Sequence, residues 1–126
     1  MTLGELASRL GARILTPGPQ AERAIEGVYA GDRMSDLLNH ASAATLVVTN
    51  LVTPQLIRAT ALVDGAGLCL LNGVDPDSEL VEAAAASGIV LMVSPFAMFE
   101  TCGRLYAALC GEHAAGPQTA LWNPKK

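Results

Sequence analysis

Thr45-Leu-Val-Val-Thr49, Gly67-Leu-Cys-Leu-Leu71 and Ile89-Val-Leu-Met-Val93 begin at positions 45, 67 and 89, so consecutive starts lie 22 residues apart. Each is a near-continuous apolar run rich in Val, Ile and Leu, the composition of a strand whose sheet is covered on both faces. Between the runs, Thr53 to Asp64 and Asp77 to Ser87 each have room for about three helical turns. Strand and helix therefore alternate, and the three runs are expected as central parallel strands. The fold class that follows is α/β, a small three-layer Rossmann-like domain with a mostly parallel sheet. Right-handed βαβ crossovers set the sense in which its helices lie on that sheet.

Start and stop signals fall where this scheme needs them. Thr53 before Pro54, Asp77 before Glu79 and Ser94 before Pro95 each offer a side-chain oxygen to the unpaired N–H groups of a first helical turn. Pro54 and Pro95 suit first-turn positions, where the missing donor costs nothing. Gly65, Gly88 and Gly111 follow helical stretches and let the chain turn. In the helix after Thr53, Leu56, Ile57, Thr60, Ala61 and Val63 mark the side expected to pack on the sheet. The last helix is expected over Pro95 to Cys110, with Gly103 inside it as a point where another backbone can approach.

A short helix–strand segment precedes this core. Thr2-Leu-Gly-Glu5 has the form of a capping box, Leu3, Leu6, Ala7 and Leu10 form an apolar side, and Gly11 ends the helix. Ala12 to Leu15 reads as a short strand, Thr16-Pro-Gly-Pro-Gln20 as a turn, and Ala24 to Ala30 as extended chain in which Tyr29 either packs, the favoured reading, or closes a crevice at the sheet edge. A short helix begins at Asp32 or Ser35 and runs through His40. Asp32-Arg33 reads as a cap beside a solvated charge. From Gly111 to Lys126 the periodicity is lost, so residues 1–110 are expected as the domain and residues 111–126 as a flexible tail, unless Leu121 and Trp122 dock on a partner.

Composition narrows the function classes. The 126 residues suit one domain, 51% of them hydrophobic and 16% charged, too apolar for disorder. No apolar run approaches the roughly 18 residues of a membrane span. Eight Lys and Arg against twelve Asp and Glu give a net charge of -4, with no basic stripe for a nucleic-acid backbone. No signal-peptide pattern opens the chain, and the expected compartment is the cytoplasm. Cys69, Cys102 and Cys110 lie in apolar stretches without C-x-x-C spacing and read as buried free thiols.

Catalytic and cofactor signatures are missing from the sequence. It contains no G-x-x-x-x-G-K-[ST], no G-x-G-x-x-G and no G-x-S-x-G. Gly65-Ala66-Gly67 precedes a strand rather than following one. His40 and His113 are isolated, so no metal site is expected. Neither an enzyme nor a cofactor-dependent protein is expected.

The positive signal is geometric. Parallel neighbours would bring Thr49 with Asn50, Asn72 with Gly73, and Ser94 with Pro95 to the carboxyl edge of the sheet, where open α/β sheets bind ligands. Helices starting near Thr53, Asp77 and Ser94 point N–H groups the same way, which favours an anion or a polar ligand. Candidate ligand-binding residues are thus Thr49, Asn50, Thr53, Asn72 and Ser94. The same residues also serve simply as caps and turn formers.

The order of pieces resembles the DRTGG domain family, in particular its small stand-alone members. The likeness spans Leu3 to Leu109: Leu3-Gly-Glu-Leu-Ala-Ser-Arg-Leu-Gly11, Gly27-Val-Tyr-Ala-Gly-Asp32, Met34-Ser-Asp-Leu-Leu38, Thr45-Leu-Val-Val-Thr49, Ala66-Gly-Leu-Cys-Leu70, Pro76-Asp77 and, most telling, Val93-Ser-Pro-Phe-Ala-Met-Phe-Glu100. The name-giving pentapeptide is not intact, because Asp32-Arg33 is followed by Met34-Ser35. The resemblance implies a regulatory or scaffolding α/β domain, similar to the amino-terminal domain of HPr kinase/phosphorylase and to domains found beside CBS domains in pyrophosphatases. It also implies a homodimer and carries over no catalytic residue.

Two functions follow as expectations: a non-catalytic regulatory or interaction module working as a homodimer, or a sensor binding a nucleotide or phosphate-like anion at the carboxyl edge. The charge-poor surface favours a self-complementary interface, with the last helix as its element.

Overall fold

The computed structural model describes residues 1–16 and 18–114, with side chains described through residue 110. The three apolar runs form β3 (Thr45–Val48), β4 (Gly67–Leu70) and β5 (Val90–Val93), every residue buried. They pair in parallel, β3 with β4 and β4 with β5. The extended chain before them supplies β2 (Gly27–Ala30), parallel to β3 with Ala30 opposite Val48. A two-residue β1 (Arg13–Ile14) lies antiparallel to β5. The sheet order is β1-β5-β4-β3-β2.

Burial on both faces explains the unbroken apolar runs. Leu46, Val48, Cys69, Val90 and Met92 point into one core with helix α1 (Leu3–Leu10) and Leu105 of α5 (Met98–Ala114). Val47, Leu68, Leu70, Leu91 and Val93 point into the other with α2 (Met34–His40), α3 (Pro54–Leu62) and α4 (Ser78–Ala86). Alternate strand residues thus feed opposite layers, and the result is a three-layer α/β domain.

The N-terminal segment belongs to the same unit. The Thr2 hydroxyl accepts from the Glu5 N–H at 3.1 Å, and the Thr2 N–H donates to the Glu5 carboxylate at 2.9 Å, completing the capping box. These hydrogen bonds hold the Glu5 carboxyl below its ordinary range. A Cβ on Gly67 would meet a Leu3 methyl and the Val90 carbonyl, each at 3.1 Å, so α1 sits as close to β4 as a glycine allows.

Several local expectations are corrected. Ser94 does not cap a helix: α5 begins at Met98, and residues 94–97 form a loop. Gly111 lies inside α5, which runs to Ala114, so the first four residues of the expected tail are helical and the rest lie outside the described residues. Ala61 is exposed while Ala59 is buried, turning the packed side of α3 to Leu56, Ile57, Ala59 and Thr60. Cys69 is buried, but Cys102 and Cys110 are only half-buried. Among the described residues no atom comes within 4 Å of a Cβ built on Gly103, so none of their backbone approaches α5 there.

Candidate functional site

At the carboxyl edge three loops are joined by one polar network. Asp32 lies two residues beyond β2, Asn50 two beyond β3 and Asn72 two beyond β4. The Asp32 Oδ1 accepts from the Thr49 hydroxyl at 2.9 Å and the Asn50 N–H at 2.7 Å, while Oδ2 accepts from Asn50 Nδ2 at 3.0 Å. Asn72 Nδ2 donates to Asn50 Oδ1 at 3.4 Å. The Asn50 N–H, then its amide, hold the Asp32 carboxyl below its ordinary range; partial burial opposes them, and the Thr49 hydroxyl adds to the lowering. Thr49 is fully buried and also accepts from the Leu51 N–H at 3.1 Å. Asn50 and Asn72 are exposed, and Asn72 Oδ1 makes no hydrogen bond among the described residues.

Asn72 and Gly73 have φ of 60° and 61°, and the Val74 N–H returns to the Leu71 carbonyl at 3.3 Å. Two successive left-handed residues make the turn type for which Asn-Gly is the preferred pair. This turn aims the Asn72 amide toward Asn50.

Ser94 is placed differently. Its hydroxyl is fully buried, 2.7 Å from the Thr101 hydroxyl, and accepts from the Phe96 N–H at 3.1 Å. Thr101 can donate to the Phe96 carbonyl at 3.3 Å, which leaves the Ser94 proton for Thr101. The bonds fix the loop into α5, and the Arg104 guanidinium, 4.1 Å from the Phe96 ring centroid, covers it from outside. Thr53 stands exposed at the N-cap of α3 with no side-chain capping bond.

Connections leaving β4 and β5 go to opposite faces, α4 to one and α5 to the other, the arrangement that opens a crevice between adjacent strand ends. Backbone bonds bridge that point: Gly73 N–H to the Ser94 carbonyl and Asn72 N–H to the Phe96 carbonyl, both at 2.8 Å. The open polar surface lies one strand further along, around Asn50 and Asn72.

The structure therefore brings Thr49, Asn50 and Asn72 together, leaves Thr53 at the start of the next helix, and sets Ser94 inside the β5–α5 loop. Sequence reasoning missed Asp32, which caps the β3–α3 loop rather than α2; the N-cap of α2 is Arg33. Recognising Gly27 to Ala30 as a strand would have placed Asp32 at the same offset as Asn50 and Asn72. Among the described residues no three His, Cys, Asp or Glu are grouped to hold a metal. Burial pushes the Cys69 thiol up to about 12, which makes it a packing group rather than a nucleophile.

No family model matches the chain, and no curated protein matches it. Among solved structures, the CBS and DRTGG domains of the regulatory region of Clostridium perfringens pyrophosphatase, complexed with the activator diadenosine tetraphosphate, match with a TM-score of 0.70 at 14% identity. The fold is DRTGG-like. The match covers 82% of this chain and 45% of that one, so this chain spans less than half of the matched structure. In this DRTGG-like fold the Val93 to Glu100 stretch is the end of β5, the loop sealed by Ser94 and Thr101, and the first turn of α5. Among the described residues no helix is long and apolar enough to cross a membrane.

Proposed function

We propose that this chain is a non-catalytic regulatory domain that works as a homodimer and takes a nucleotide-like small molecule at the carboxyl edge of its sheet. The observation that carries the reading is the Asp32–Asn50–Asn72 network, which presents exposed amides in a fixed arrangement across three strand ends. Amides with both a donor and an acceptor suit a base or ribose edge. The Asp32 carboxylate repels phosphate, so the phosphates of a nucleotide would lie toward Thr53 and the start of α3, where the threonine hydroxyl is not used for capping. Thr49 and Ser94 serve as positioning residues, holding the two loops from beneath. A fold like that of a regulatory region solved with diadenosine tetraphosphate supports a ligand of this class.

The homodimer reading is supported by α5, where Phe99 is 79% exposed and Gly103 leaves room for a close crossing.

Thermal unfolding with diadenosine tetraphosphate, ATP, adenosine and inorganic phosphate tests the site, with molar mass measured in the same buffer. A ligand at 100 times its Kd adds about 2.7 kcal/mol. Asn72→Gly keeps the positive-φ turn while removing the amide, so the expected result is a ligand-induced rise in Tm that this variant loses. Absence of any rise with all four compounds overturns the ligand reading, and a monomeric mass overturns the homodimer.

A further inference from the structure

The Asp32–Asn50–Asn72 network has a fixed polarity. Asp32 Oδ1 is taken by the Thr49 hydroxyl and the Asn50 N–H, at 2.9 and 2.7 Å, so Oδ2 is the oxygen that faces the Asn50 side chain. An ionised carboxylate only accepts hydrogen bonds, and its donors hold this one below its ordinary range. Asn50 must therefore turn its Nδ2 toward Asp32, at 3.0 Å, and its Oδ1 toward Asn72. That oxygen requires a donor, so Asn72 presents its Nδ2, at 3.4 Å, and keeps its own Oδ1 at the outer end of the chain of bonds. Asn72 is exposed, and this oxygen has no hydrogen-bond partner among the described residues. One carboxylate thus decides, through two amides, that the free atom at the end of the relay is an acceptor.

We propose that this relay selects a nucleobase carrying an exocyclic amine beside a ring nitrogen, as adenine and cytosine do, over bases with a carbonyl at that position. The inference rests on the nucleotide reading above and names the class of base that site takes. An amine donates to Asn72 Oδ1, and the ring nitrogen accepts from the N–H that Asn72 does not spend on Asn50. A keto base instead sets its carbonyl oxygen against the Asn72 oxygen, two acceptors with no proton between them. Turning the base over would relieve the mismatch, but phosphates directed to the start of α3 prevent it. The positive-φ turn at Asn72 and Gly73 fixes where the amide stands, so what Asp32 adds is its orientation. Asp32 is therefore a positioning residue, acting on the base through Asn50 and Asn72.

Isothermal titration calorimetry of the full chain with ATP, ITP, CTP and UTP tests this. The expected result is that ATP or CTP binds about tenfold or more tightly than its keto counterpart, ITP or UTP, and the pair that shows it names the base. Asp32→Asn sharpens the test. Its Oδ1 keeps the Thr49 hydroxyl and the Asn50 N–H, its Nδ2 then faces Asn50, both amides turn over, and Asn72 exposes a donor. The preference should invert toward ITP or UTP, which a merely structural role for Asp32 does not produce. Asn72→Gly keeps the turn and should abolish the preference, a readout that stands if Asp32→Asn disturbs folding. Equal affinities within each pair for the natural chain overturn the inference and leave the nucleotide site standing, whereas no binding of any of the four overturns both. A preference unchanged in Asp32→Asn overturns the role given to Asp32.

Discussion

Thr49 and Ser94 stand at the same place in the strand–helix period, one residue beyond β3 and β5, and both are fully buried, yet they are held in opposite ways. The Ser94 hydroxyl closes on its own connection, through Thr101 and the Phe96 N–H. The Thr49 hydroxyl reaches across to the neighbouring loop and ends on a carboxylate. One end of the edge is therefore sealed by neutral groups and backbone pairing, and the other is charged and partly open. The open end carries the titrating carboxylate of Asp32, while the hydroxyls and backbone groups of the sealed end do not titrate.

Breaking the sealed end should cost most. Ser94→Ala leaves the half-buried Phe96 N–H without its side-chain acceptor and breaks the 2.7 Å pairing with the Thr101 hydroxyl, which keeps only the Phe96 carbonyl. The expected loss is about 1–3 kcal/mol, read as a lower urea midpoint with unchanged m-value. At the open end Asp32→Ala should cost about 0.5–1.5 kcal/mol, less because the carboxylate is exposed and water competes for its donors.

Acid sharpens the contrast. The folded Asp32 carboxyl is held below its ordinary value, so its contribution is fully present above the unfolded-state pKa of about 3.9 and is lost as pH falls through the lower folded value. The stability gap between the natural chain and Asp32→Ala should therefore narrow below about pH 4. The gap to Ser94→Ala involves no titrating group and should stay constant. Unfolding curves at several pH values in this range check both, and parallel behaviour of the two variants would erase the distinction.

The smallest effect has the opposite sign. Thr60 of α3 is fully buried, and its hydroxyl has no hydrogen-bond partner among the described residues. Thr60→Val keeps the shape and removes the unpaired group, so stability should rise by up to about 1 kcal/mol in the same assay. A loss instead would mean that the Thr60 hydroxyl is partnered after all.

Much of this arrangement was legible in the sequence. Two-sided burial forces continuous apolar runs, so the 22-residue spacing reads directly as parallel strands separated by helices. Thr2 with Glu5, and Asp77 with the Leu80 N–H at 3.0 Å, are contacts within three residues, decided by local geometry alone. Asn50 and Asn72 were likewise placed at the carboxyl edge by the strand period.

Which loops meet was not legible there. Asp32 and Asn50 touch because β2 pairs with β3, and nothing in a four-residue strand with alternating exposure announces its neighbour. Ser94 turns inward because Thr101, seven residues later, returns to it from α5, so a residue that looks like a helix cap instead secures a loop. The sequence by itself determined the elements, their alternation and the residues at each strand end, since burial period and capping act over one or two turns. Only the tertiary structure decided which of those ends is sealed and which is open. That depends on strand order and on the face each helix takes, both products of long-range packing.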